Sequence, residues 1–194
     1  KDTGYTDAKK CHCFKHMEIE ILYDQSNIRE VLERENFDTL SMAYYDRDHV
    51  DEKTGMTVYD YMSKVIRECR EYAEKFKNEK GSILFTGNTG CGKTFLSNCI
   101  ARELTRRYFS VVYLTATDMF DILAGSRFSG GDDDEAKDRA SYILDCDLLI
   151  IDDLGTELIN TFTASQMFYC VNERLNRNKG TIISTTLTLG ELQD

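Results

Sequence analysis

The sequence predicts an α/β fold in which a parallel sheet is flanked by helices, and three observations support that prediction. Residues 87–94 form the pattern G-x-x-x-x-G-K-T between an apolar strand and a helix. The continuous apolar run 148–151 is typical of a strand buried on both faces, and it ends in two aspartates. Strand-like and helix-like segments alternate along the chain, which is typical of a parallel sheet because each parallel connection needs a crossover.

Four segments precede the first predicted strand of the sheet. Residues 1–16 are a polar arm that carries cysteine and histidine. Residues 24–37 have apolar side chains near helical period with charges between them, which predicts an amphipathic helix. Residues 38–55 form a linker with aromatic residues, and residues 57–78 repeat apolar side chains at the spacing of a long helix that faces the core.

The rest of the chain supplies the sheet. The segment 125–135 is polar and glycine-rich, and we expect a mobile loop there. The other predicted elements are strand 82–86, helix 93–108, strand 111–115, helix 117–124, helix 136–144, strand 147–151, helix 163–178 and strand 181–185. We therefore predict an N-terminal arm over 1–55 and a second domain over 56–194, which contains the glycine-rich motif.

The glycine-rich motif predicts a site for a nucleoside triphosphate. Its glycines let the backbone approach a polyphosphate, so that successive N–H groups and the positive end of the following helix point at the phosphate oxygens. The lysine supplies a charge for the β- and γ-phosphates, and the threonine hydroxyl is a ligand for Mg²⁺. The predicted nucleotide-binding residues are Gly87, Asn88, Thr89, Gly90, Cys91, Gly92, Lys93, Thr94 and Phe95.

The acidic pair after the run 148–151 predicts the metal and catalytic side of the same site. Ligands bind at the carboxyl ends of parallel strands, so Asp152 is placed to hold Mg²⁺ together with Thr94. Asp153 is placed to orient the water that attacks the γ-phosphate. Taken alone, the two aspartates would fit a solvated strand end; their occurrence with the phosphate loop favours the functional interpretation.

Composition limits the remaining function classes. The formal net charge of −10 argues against broad electrostatic capture of nucleic acid, because such binding depends on lysine and arginine. No apolar run reaches the ~20 residues that span a bilayer, so we expect no membrane association. Seven cysteines, an odd number, without a secretory signal predict free thiols in the cytoplasm.

Cys11 and Cys13 are the candidate zinc ligands, with His12 and His16 beside them. A closed tetrahedral zinc site needs four ligands, usually in two separated pairs, and the chain shows one such pair. Ordinary thiols are the alternative.

Three strings, at 87–96, 147–157 and 181–187, resemble the AAA+ helicase loaders of the DnaC/DnaI type and their IstB relatives. The leader 1–5 with Cys11 and Cys13 is similar to the end of a zinc module that precedes some of these ATPase domains. The resemblance implies an ATPase that uses ATP and Mg²⁺ to load a DnaB-type replicative helicase onto single-stranded DNA. It also implies a homo-oligomer and, in the full-length protein, a bound Zn²⁺.

The resemblance also assigns individual residues. Arg127 and Phe128 would contact DNA, and Thr186 stands where relatives carry the asparagine that senses the γ-phosphate. The first cysteine pair of the zinc module would lie before Lys1. The fifth strand, the arginine finger and the lid would follow Asp194, so slow turnover is expected of this chain alone.

Two alternative functions share the phosphate loop. One is an IstB-like ATPase that assists a transposase, which a transposase partner would reveal. The other is a small-molecule kinase, which would need a lid with clustered arginines; the segment 125–135 offers Arg127 alone.

Overall fold

A computed structural model describes residues 5–6, 9–10, 28–128, 134–155 and 161–192 of the 194-residue chain. A short antiparallel hairpin pairs β1 (Tyr5–Thr6) with β2 (Lys9–Lys10). The elements that follow are α1 (Ile28–Arg34), a 3₁₀ turn (Met42–Tyr44), α2 (Val58–Lys75), β3 (Ser82–Thr86), α3 (Lys93–Arg106), β4 (Val111–Thr115), α4 (Ala116–Phe128), α5 (Asp134–Asp145), β5 (Leu148–Leu154), α6 (Thr161–Asn176) and β6 (Gly180–Thr185).

Strands β3 to β6 form one parallel sheet in the order β3-β6-β5-β4. Because each connection crosses over through a helix, all four strands end at the same edge of the sheet. The predicted parallel sheet with flanking helices is confirmed, and the predicted bounds of strands 82–86 and 111–115 are those of the structure.

Several predicted boundaries are wrong, and those of the loop 125–135 and of strand 147–151 matter most for the site. Residues 125–128 continue α4 and residues 134–135 begin α5, so these parts of the predicted loop 125–135 are helical. Glycine and serine lower the stability of a helix but do not prevent it from continuing through Gly125 and Ser126. The Ser126 hydroxyl donates a hydrogen bond to the carbonyl of Leu123. Residues 129–133 lie outside the described part of the chain. Strand β5 extends through both aspartates because pairing with β6 resumes at Leu154.

The core has two layers, one on each face of the sheet, and β5 contributes to both. Leu148 and Ile150 face the layer formed by α1, α2 and α3, while Leu149 and Ile151 face the layer formed by α4, α5 and α6. This alternation follows from the two-residue period of a strand. All four side chains are fully buried, as expected of a central strand in a covered parallel sheet.

The segment before α2 packs on the first layer. Leu32 and Phe37 are buried in the same cluster as the apolar faces of α2 and α3. The Arg70 guanidinium lies 4.5 Å from the Phe37 ring centroid, and the Asn98 amide donates a 2.6 Å hydrogen bond to Glu35. Residues 32–37 therefore pack against the predicted second domain, and the division at 55/56 stays a prediction.

Cys69, Cys99, Cys146 and Cys170 are free thiols buried in the core. Burial raises the pKa of the Cys69 and Cys99 thiols to about 12, which keeps them protonated and unreactive. In the parts of the chain that the structure describes, no helix has the length and apolar character needed to cross a membrane.

At the amino-terminal edge of the sheet, the carboxylate of Asp147 joins three segments. It accepts hydrogen bonds from Lys80 at 2.7 Å and Lys179 at 3.4 Å, and from the N–H and hydroxyl of Ser110 at 3.1 and 3.0 Å. Burial raises the pKa of Asp147, but the lysine and serine hydrogen bonds and the lysine charges outweigh it and bring the pKa to about 2.

We expect Asp147→Asn to lower the free energy of unfolding at neutral pH by about 2 kcal/mol, because it removes an anion held between two lysines. The folded-state pKa is depressed, so this stabilisation is present above the unfolded pKa of about 4 and is lost as the pH falls towards about 2. Urea titrations at pH 7 and pH 3 measure it. The control Asp145→Asn changes an exposed ion pair with Arg177 and should have little effect. A difference between wild type and Asp147→Asn that is unaltered by pH would contradict this account.

Candidate nucleotide site

The glycine-rich loop 87–94 connects the end of β3 to the start of α3. Gly92 caps the helix with φ of +100°, a conformation that L side chains rarely adopt, and its carbonyl accepts the N–H of Leu96 at 2.9 Å. The loop is exposed at its tip, while α3 is buried from Leu96 to Ala101. The amino terminus of a rigid, buried helix therefore points to the carboxyl edge of the sheet, the arrangement that binds phosphate.

Lys93 folds back along the loop rather than into solvent. Its ammonium donates to the carbonyl of Gly87 at 2.7 Å and to the carbonyl of Asn88 at 3.0 Å, and the residue is 9% exposed. The cation is therefore held within the curve of the phosphate loop.

Asp152 is the centre of the site. Its carboxylate accepts the Thr94 hydroxyl at 3.1 Å and 3.3 Å, one distance to each oxygen. It also accepts the Tyr113 hydroxyl from β4 and the Ser184 hydroxyl from β6. The structure thus brings together the two predicted metal ligands, Thr94 and Asp152, which are 58 residues apart in the sequence.

A β-bulge shapes the acidic end of β5. Ile151 pairs with Ile183 and Leu154 pairs with Thr185, so Asp152 and Asp153 together oppose Ser184. Asp153 has a φ of +55°, and its N–H donates to the Ser184 hydroxyl at 3.1 Å. The bulge lets one carboxylate be buried at the phosphate loop while its neighbour is exposed.

The other predicted site residues fall in different places. Phe95 is half-buried in the first turn of α3, and Thr186 is exposed directly after β6. Arg127 and Phe128 belong to the last turn of α4. Their role in DNA binding stays a prediction. Cys11 and Cys13 lie outside the described residues.

Within the described residues there is no group of three or more histidine, cysteine, aspartate or glutamate side chains that could hold a metal ion. Cys11 and Cys13 are not among these residues, so zinc binding by them stays a prediction. The Mg²⁺ site predicted at Thr94 and Asp152 is of a different kind, because Mg²⁺ keeps several waters and needs few protein ligands.

Sequence reasoning did not identify Tyr113, Ser184 or Tyr45 as part of this site. Tyr113 and Ser184 are polar residues within apolar strands that end at the same edge of the sheet as the glycine-rich loop. That pattern could have indicated that their hydroxyls belong to the site. A Cβ atom added to Gly92 would lie 3.4 Å from the Tyr45 hydroxyl oxygen. The Tyr45 side chain, from the predicted linker, therefore lies next to the glycine-rich loop. Burial raises the pKa of this phenol.

The family model described as IstB-like ATP binding protein matches residues 17–194. The match covers the phosphate loop, both aspartates and every strand of the parallel sheet. The chain belongs to the IstB-like ATP binding protein family. The family membership that the sequence motifs predicted is confirmed.

Among curated proteins, the chain is similar to the replicative helicase loader DnaC of Buchnera aphidicola subsp. Acyrthosiphon pisum (strain APS), with 25% identity over 86% of this chain and 61% of the relative. It is 27% identical to the replicative helicase loader DnaC of Escherichia coli (strain K12) over 66% of this chain and 51% of the relative. The chain thus spans between half and three-fifths of the length of these relatives.

Solved structures share the fold of this IstB-like protein. The DnaC helicase loader aligns with a TM-score of 0.59 and 21% identity, over 81% of this chain and 80% of that chain. DnaI aligns with a TM-score of 0.63 and 21% identity, over 84% and 78%. AMPPCP-bound DnaA from Aquifex aeolicus aligns with a TM-score of 0.57 and 20% identity, over 82% and 44%. These likenesses show an AAA+ fold.

We expect Lys93→Ala to weaken ATP binding by about 100-fold, because it removes the charge-assisted hydrogen bonds that an ammonium makes to phosphate. Calorimetric titration with ATP and Mg²⁺ measures the change. Lys75→Ala, which removes a lysine from an exposed ion pair on α2, is the matched control and should bind as wild type does. Unchanged affinity in Lys93→Ala would show that phosphate is held elsewhere.

Proposed function

We propose that the chain binds ATP or ADP with Mg²⁺ across the 87–94 loop and hydrolyses ATP. The contact between the Thr94 hydroxyl and the Asp152 carboxylate carries this proposal, since it places two hard oxygen groups at the start of α3 beside Lys93. Both groups are of the type that Mg²⁺ prefers, so these residues fit the ion. When bound, Mg²⁺ would neutralise charge on the β- and γ-phosphates.

Two exposed residues are proposed to act on the γ-phosphate side. Asp153 would orient the attacking water, and the bulge supports this role because it sets a second carboxylate next to the metal-facing Asp152. Thr186, directly after β6, would donate one hydrogen bond to the γ-phosphate. A threonine reaches less far than the asparagine of relatives, so we expect slow turnover.

At the level of the whole protein, we propose a loader that places a DnaB-type replicative helicase on single-stranded DNA during DNA replication. The similarity to replicative helicase loaders DnaC supports this function. We further propose that a homo-oligomer completes each ATPase site with an arginine from the neighbouring subunit. Arg127 and Phe128 would contact DNA by pairing with phosphate and stacking on a base.

The zinc module is proposed for the full-length protein, with Cys11 and Cys13 as two of its four ligands. The β1–β2 hairpin ends directly before Cys11, which is consistent with a small folded unit at this position. Structural zinc contributes folding energy, so we expect one zinc per chain by metal analysis of full-length protein purified without chelator. Less than about a tenth of an equivalent would leave both cysteines as ordinary thiols.

We expect Asp153→Asn to keep ATP affinity and to lower turnover by about 100-fold, since a positioned base contributes at least that much. Asparagine also tolerates the positive φ at this position, so the variant tests charge rather than backbone conformation. Turnover is measured in the full-length assembly, with Asp121→Asn on α4 as a control. Wild-type turnover would show that the base lies elsewhere, with Glu157 as the next residue to test.

We expect the full-length protein to bind the replicative helicase of its own cells in the presence of ATP. Mass spectrometry after a pull-down from cell extract, with ATP and with ADP, identifies the partner, and binding is repeated with the purified helicase. Lys93→Ala serves as the control for nucleotide dependence. Recovery of a transposase instead of a helicase would replace the loader with the transposition-helper function.

A further inference from the structure

The Asp152 carboxylate is held from both neighbouring strands. Tyr113 on β4 donates to Oδ2, and Ser184 on β6 donates to Oδ1. Because the two hydroxyls bind different oxygens from opposite sides, they fix the rotation of the carboxylate plane. The Thr94 hydroxyl, within 3.1 Å of Oδ2 and 3.3 Å of Oδ1, meets a carboxylate whose orientation is already set by the sheet.

The direction of these hydrogen bonds follows from their surroundings. Ser184 is fully buried, and its oxygen accepts the Asp153 N–H at 3.1 Å, so its proton points to Asp152. The Tyr113 hydroxyl likewise donates to the carboxylate, which accepts both hydrogen bonds. Both residues therefore orient Asp152 without adding a positive charge beside it.

The carboxylate of Asp147, which directly precedes β5, has charged partners, whereas the carboxylate of Asp152 has hydroxyl partners. Asp147 is held between Lys80 and Lys179, so its charge is balanced within the protein. Asp152 is 6% exposed, and its hydrogen-bond partners within the described residues are three hydroxyls. Neutral hydroxyl groups therefore set the orientation of the Asp152 carboxylate, whereas lysines hold the Asp147 carboxylate.

We propose that Tyr113 and Ser184 are positioning residues for the divalent cation: they hold the Asp152 carboxylate at the orientation in which it and the Thr94 hydroxyl face one metal. The inference rests on the proposed binding of nucleotide with Mg²⁺ and names the residues that set the affinity for that metal. Groups that orient a metal ligand typically change metal affinity by about 10- to 100-fold when they are removed.

The test separates metal affinity from nucleotide affinity. Tyr113→Phe and Ser184→Ala each remove one hydroxyl, and the binding of a fluorescent ADP (methylanthraniloyl-ADP) is titrated at increasing Mg²⁺ and again in EDTA. We expect the Mg²⁺ concentration for half-maximal enhancement to rise by about 10-fold in each variant. The affinity in EDTA should stay that of wild type, because Lys93 and the loop are unchanged.

Two matched controls remove the same groups from the opposite edge of the sheet. Tyr72→Phe deletes a hydroxyl that donates to the Gly81 carbonyl, and Ser110→Ala deletes a hydroxyl that donates to Asp147. We expect both controls to show the wild-type Mg²⁺ response. Thermal unfolding of all four variants confirms that the comparison is made on folded protein.

The possible results distinguish a failure of the positioning role of Tyr113 and Ser184 from a failure of the proposed nucleotide and Mg²⁺ binding. A wild-type protein that responds to Mg²⁺ while Tyr113→Phe and Ser184→Ala respond in the same way would overturn the positioning role and leave the proposed function intact. An equal loss of affinity with Mg²⁺ and in EDTA would also overturn it, because the hydroxyls would then support the loop rather than the metal ligand. A wild-type affinity for ADP that ignores Mg²⁺ would overturn both the proposed function and this inference.

Discussion

The hydrogen-bonded carboxylate of Asp152 is the interaction on which the arrangement of the site depends. It joins α3 through Thr94, β4 through Tyr113 and β6 through Ser184. These elements are distant in sequence, so the contact exists only when the sheet has its full register. The fold itself thereby holds the phosphate loop and the acidic strand end in one geometry, and such preorganisation reduces the ordering cost of binding.

The two ends of β5 show how the same residue type serves different purposes in one strand. Asp147 lies between lysines and links three segments of the fold, so its charge is used for stability. Asp152 lies among hydroxyls, and Asp153 next to it adopts a strained positive φ at a bulge. A strained backbone at a functional edge is tolerated because the rest of the structure supplies the stability that offsets the strain.

The sequence predicted the sheet well because its strands are apolar on both faces and its motifs have fixed spacing, as the exact bounds of 82–86 and 111–115 show. It predicted the ends of α4 and β5 less well. Gly125 and Ser126 favour a loop locally, yet the helix continues through them, and the bulge at Asp152 depends on pairing with β6. Tyr113 and Ser184 were missed for the same reason, since a contact across 39 or 32 residues follows from register rather than from local pattern.

The position of a divalent ion relative to Thr94 and Asp152 would show whether these two residues form the metal site. Anomalous diffraction from crystals grown with ADP and Mn²⁺ would locate the ion independently of the protein density. We expect one peak at the amino terminus of α3, with the Thr94 hydroxyl in its coordination sphere and the Asp152 carboxylate facing it. A nucleotide-associated peak elsewhere, with Thr94 and Asp152 still hydrogen-bonded to each other, would contradict the account.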